Sequence, residues 1–126
     1  MPNFNIVLNG PIQVFDLNNN LIASKPLTGL TVSVLDYTSG STAFSAAATA
    51  ITLPVSPTNF MYLRNDGTAV AVVSWIPQGG SGAIVQNLGI SSAAAVIQVG
   101  QTGTTGITGL TVSCAAATTL EYFLAG

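Results

Sequence analysis

The sequence predicts an all-β fold: a single-domain antiparallel β-sandwich, jelly-roll-like, of about eight to ten strands. Three observations predict it. Apolar residues recur with a period of two rather than 3.6 in run after run. β-Branched and aromatic residues fill those runs, whereas helix-forming Glu, Lys and Arg are nearly absent. Clusters of Gly, Pro, Asn and Ser interrupt them about every 8–12 residues. A length of 126 residues fits one domain spanning 1–126, with a core large enough to need no disulfide or metal.

The elements follow in order. Phe4, Ile6 and Leu8 alternate with asparagines, as a half-buried strand requires, and Ile12 and Val14 continue after an expected Gly10-Pro11 turn. A polar hairpin turn is expected between Val14 and Leu21, and a solvated loop at Lys25-Pro26. Leu30, Val32 and Val34 alternate with Thr31 and Ser33. The alanine-rich stretch 43–50 reads as strand or irregular edge, because no charged face accompanies it. Phe60, Tyr62 and Arg64, and then Ala69–Ile76, flank Asn65-Asp66-Gly67, which predicts a tight hairpin with positive-φ positions.

Further strands are expected over 83–88, 94–99, 110–115 and 119–124, with loops at 79–82 and 100–109. The run TGLTVS occurs twice, from Thr28 to Ser33 and from Thr108 to Ser113. The match stops there, which favours two strands of equivalent position over a true repeat. In each, the glycine is expected to release a turn, with Leu and Val pointing inward and Thr and Ser outward.

Charge is scarce. Charged residues make up 5% of the chain, against about 25% in ordinary domains, so charge repulsion between neighbouring copies is weak. Between Asp66 and Glu121 there is no charged residue at all. The apolar runs there are too short for a membrane span, which needs roughly 20 apolar residues. High mean hydropathy with small net charge is also the reverse of a disordered composition. The first residues show no basic region followed by an apolar stretch, so no cleaved signal is expected. Two basic residues cannot neutralise a useful number of phosphates, which argues against nucleic acid as a partner.

Chemistry has few carriers. With no histidine, the commonest general base and metal ligand is missing, so no enzyme and no cofactor are expected. Asp36 and Glu121 are the one carboxylate pair that pairing of strands could bring face to face. Asp16, Asn18 and Asn20 match the opening of a calcium loop, but Leu21 and Leu27 stand where its glycine and glutamate belong. A hairpin turn explains the same residues. Cys114, the only cysteine, reads as a small buried hydrophobe. Trp75 is either core packing or a sugar-stacking platform. Arg64 is placed to pair with Asp66 or Glu121, or to reach across an interface. The Thr/Gly-rich segment 101–111 lacks the regular Thr-x-Thr spacing of an ice-binding face. Arg64, Glu121 and Trp75 are therefore the candidate interface residues.

A surface of Ser, Thr, Asn, Gln and Gly costs little to desolvate against a matching surface, which favours permanent assembly by symmetry. The stretch from Phe60 to Ala69, then Val73 to Pro77, Gly79-Gly80, Leu88-Gly89 and the final Glu121 to Gly126, resembles small virion proteins of tailed bacteriophages. The resemblance covers the C-terminal half. It implies a β-sandwich, often jelly-roll-like, that decorates or cements a phage head, commonly as a homotrimer bound to the major capsid protein. No catalytic residues come with it. The expectation is a virion structural protein on the capsid surface. The alternatives are a tail, baseplate or head-fibre component, or a carbohydrate-binding or adhesive β-sandwich using Trp75.

Overall fold

The computed structural model describes residues 4–45, 49–53, 56–91, 95–99 and 106–126. Among them are ten strands, all paired antiparallel, and no helix. β1 (Phe4–Phe15) and β2 (Leu21–Val34) form a two-stranded ribbon of their own. β3 (Tyr37–Phe44), β10 (Thr118–Ala125), β5 (Phe60–Asn65) and β8 (Ala95–Val99) form the first four-stranded sheet in that order. β4 (Thr49–Ala50), β9 (Ile107–Cys114), β6 (Ala71–Pro77) and β7 (Ile84–Leu88) form the second.

The two four-stranded sheets face each other as a sandwich, because period-two alternation gives each one apolar face. Met61, Leu63, Leu120 and Leu124 of the first sheet meet Val73, Trp75, Leu110 and Val112 of the second in one buried cluster. Burying each such leucine contributes roughly 1.5–3 kcal/mol. Cys114 lies in the same core, as its composition predicts, with its Sγ 2.8 Å from the Ser45 carbonyl oxygen.

Asn65-Asp66-Gly67 does not make the expected hairpin. β5 and β6 lie in different sheets, so this segment is a crossing from one sheet to the other. The Asn65 side chain points inward, completely buried, and every polar atom on it is used. Its Nδ2 donates to the carbonyls of Ala69 (2.8 Å) and Leu88 (3.0 Å), and its Oδ1 accepts from the Gly67 amide (3.0 Å) and the Thr118 hydroxyl (2.7 Å). Gly67 is needed for space, since a Cβ there would lie 2.1 Å from Thr118 Oγ1 and 2.5 Å from the Thr119 nitrogen.

The ribbon brings other corrections. Gly10-Pro11 is no turn; β1 runs through it, with a register irregularity between Leu8 and Gly10 and with Gly10 at φ 126°. Pro11 is the register partner of Pro26, so Lys25-Pro26 is strand and not loop. A two-stranded ribbon accepts both prolines because each of its strands has a free edge. The TGLTVS copies are not equivalent: one ends the ribbon's second strand, the other lies in β9 between β4 and β6. Their alternation still agrees, with Val32 and Val34 buried in one and Leu110 and Val112 in the other. Only Gly29 of the two glycines has positive φ. Of the loop expected over 100–109, residues 100–105 lie outside the described residues, and 107–109 are strand, since β9 starts at Ile107.

Candidate assembly surface

Alternation fixes which side chains reach the outside of the body. In β6, Ala71, Val73 and Trp75 point inward, so Val72, Ser74 and Ile76 point out. Register then places Val85, Asn87, Thr111 and Ser113 beside them on the same outer face. No strand of the second sheet contains a charged residue. That outer face consists of small and neutral side chains from edge to edge.

The outer face of the first sheet differs. Glu121 and Arg64 are register partners on adjacent strands, and Arg64 Nη2 donates to Glu121 Oε2. Arg64 Nε donates to Asp66 Oδ1 at 2.8 Å, and this bond holds the guanidinium proton even more tightly than usual. Arg64 thus pairs with both carboxylates that the sequence offered it. The trio is solvent-exposed and carries one net negative charge. It does not lie on the charge-free sheet, so Arg64 and Glu121 cannot set the register of that face.

Trp75 is corrected as an interface candidate. It is 4% exposed, packed between the sheets, and its ring is not available to a partner or a sugar. Asp36 and Glu121 do not face each other either: the register partner of Glu121 is Ser41, whereas Asp36 precedes Tyr37, the partner of Ala125. Asp36 Oδ1 instead accepts from the Tyr37 amide at 2.8 Å. A cavity of about 540 Å3 opens between the edge strands β3 and β4, with Asp36 as its one carboxylate.

The ribbon is the part that sequence reasoning missed. With strands of 12 and 14 residues, it is about 40 Å long at ~3.3 Å per residue. Its proximal part packs on the first sheet's outer face, where Ile6, Leu8, Val32 and Val34 meet Phe60, Phe123 and Ala125. Phe4 stands edge-on to Tyr37 at 5.3 Å, and Tyr37 stacks on Phe123 at 5.7 Å. The Gly126 carbonyl accepts from the amides of Leu35 (2.7 Å) and Asp36 (3.0 Å) where ribbon and body join.

Beyond Gly10 the ribbon has no body beneath it. Ile12, Val14, Phe15, Leu17, Leu21 and Ile22 are each more than half exposed. The tip is the polar turn that was expected between Val14 and Leu21. Asp16 Oδ1 accepts from the amides of Asn18 (2.8 Å) and Asn20 (2.9 Å), its Oδ2 accepts from Asn20 Nδ2 (3.0 Å), and Asn19 takes φ 64°. These bonds, the Asn20 side chain foremost, hold the Asp16 carboxyl below its ordinary value. Both oxygens that a calcium loop would direct at an ion are engaged in the turn. The signal for the ribbon was present as six large apolar residues between positions 12 and 22. Periodicity alone does not say whether such residues are covered.

Comparison with protein families, with curated proteins and with solved structures finds no match to this chain. Among the described residues, no helix is long and apolar enough to cross a membrane.

Proposed function

We propose that the chain is a non-enzymatic virion structural protein, a capsid decoration or cement protein that binds and stabilises an assembled phage head as a homo-oligomer. The observation that carries this reading is the pairing of a charge-free sheet face with a ribbon whose outer half is apolar and uncovered. Isolated two-stranded ribbons are marginal in water, and large exposed apolar patches are the usual mark of an interaction surface. Both features call for a covering partner.

The fold reading is a jelly roll. Its support is the strand order, β3-β10-β5-β8 facing β4-β9-β6-β7, in which β3 to β10 alternate between the sheets except where β6 and β7 pair as a hairpin. Jelly rolls are frequent in viral shells, though fold alone does not assign function. The chemistry of the faces points the same way as the bacteriophage resemblance over the C-terminal half.

The mechanism needs no covalent step. Neutral side chains of the second sheet lie against neighbouring capsid subunits, and any contact made only on the assembled shell stabilises that shell by mass action. Cryo-electron microscopy of the particle whose genome encodes the chain tests this. The expected result is density for the sandwich on the head, with the second sheet facing the shell. A head without such density overturns the reading, and density on the tail replaces it with a tail or baseplate role. The carbohydrate-binding alternative loses its aromatic platform now that Trp75 is buried.

A further inference from the structure

We infer that the distal half of the β1–β2 ribbon is the seat-seeking part of a reciprocal exchange, lying on the open half of the first sheet of a second copy of this chain. The chain already shows how its ribbon packs on that sheet. The proximal ribbon covers one half of the outer face, through Ile6, Leu8, Val32 and Val34 on Phe60, Phe123 and Ala125. The distal ribbon and the other half of that face are both left uncovered.

Beside the covered half lies a shallow groove of about 620 Å3 lined by Ser39, Ser41, Asp66 and Glu121, whose aromatic floor is the part of Tyr62 and Phe123 that the proximal ribbon leaves exposed. Two carboxylates against one guanidinium give its rim a net negative charge. Ile12 and Val14 are the register partners of Lys25 and Ala23, so one ribbon face presents two branched aliphatic side chains and one cation. Lys25 makes no ion pair among the described residues. An apolar ribbon face with a single positive charge matches an aromatic groove with a single net negative one. The second sheet's face is as flat, but it offers Lys25 no counter-charge.

This exchange goes beyond the capsid reading and is measured on the isolated chain, so either can fail without the other. A monomer that still binds shells removes the exchange and the homo-oligomeric state, while binding to the shell stands.

The experiment is sedimentation equilibrium of the full chain, its Ile12→Asp and Lys25→Glu variants, which share one ribbon face, and a mixing test. Both side chains are exposed, so circular dichroism and the melting temperature of the variants should stay unchanged. The expected result is a closed oligomer whose dissociation constant rises at least tenfold in each variant. Mixing an Ala23→Cys chain with a Ser41→Cys chain should give a covalent dimer between unlike copies. A monomer at about 100 μM, or an oligomer indifferent to Ile12→Asp, overturns the exchange. So does cross-linking of Ala23→Cys to Ser74→Cys in place of Ser41→Cys, which would put the ribbon on the second sheet.

Discussion

The sandwich body and the distal ribbon are made of similar residues and solve the burial problem in opposite ways. In the body, Leu63, Leu120 and Leu124 are completely buried, and even the polar Asn65 is buried with all its hydrogen-bonding groups met. In the ribbon, Leu17 is 103% exposed, and the strands are held by their backbone ladder and the Asp16 turn. The difference teaches that hydrophobicity in this chain serves two ends. One set of apolar side chains specifies the fold, and the other is held ready for a surface outside it.

Substitutions sharpen that contrast. The largest effect is expected from leucines of equal chemistry: Leu124→Ala should lower the unfolding free energy by about 2–5 kcal/mol, read by urea denaturation. Leu17→Ala should change it by less than about 0.5 kcal/mol. Equal losses would mean that the tip is part of the cooperative unit. Next comes Gly67→Ala, where the new Cβ must displace the Thr119 backbone, for a loss of about 1–3 kcal/mol. Gly82→Ala, with open space around it, is the control and should be neutral in the same melt.

Glu121→Gln should change stability little, since the pair with Arg64 is partly exposed and screened. A double-mutant cycle with Arg64→Met reads it, and a larger coupling would mark the trio as structural. The smallest effect on the body is expected from acid. Because folding lowers the Asp16 pKa, its contribution is present above the unfolded value of about 3.9 and is lost as pH falls through the lower folded value. Amide exchange at Asn18 and Asn20 should quicken over that window while the melting of the body barely moves. Coincident loss of both would break the distinction between the two regions.

Much of the body was legible in the sequence because alternation in β5, β6, β9 and β10 reflects burial on one face, and burial on one face is what drives strands together. The hairpin expected at Asn65-Asp66-Gly67 was misread for a physical reason. The same three residues suit a tight turn by backbone freedom and a sheet crossing by small size and side-chain hydrogen bonds. Only the position of Thr118, far along the chain, decides between them. Gly10-Pro11 misled in the same way, since a free-edged ribbon tolerates what a central strand does not. Among the candidate interface residues, pairing of Arg64 with Glu121 was one of three open readings, and the burial of Trp75 one of two. The ribbon and its open seat depend on contacts between distant segments, which local pattern does not encode.

Cys114 has a practical consequence. As the only cysteine in the chain, it is buried in the second sheet with its Sγ within reach of the Ser45 carbonyl at the end of the first sheet's edge strand. A thiol reagent can reach it only when the two sheets part there. Its rate of labelling is therefore a clock for opening of the sandwich, readable in the free chain and in any assembly without adding a probe.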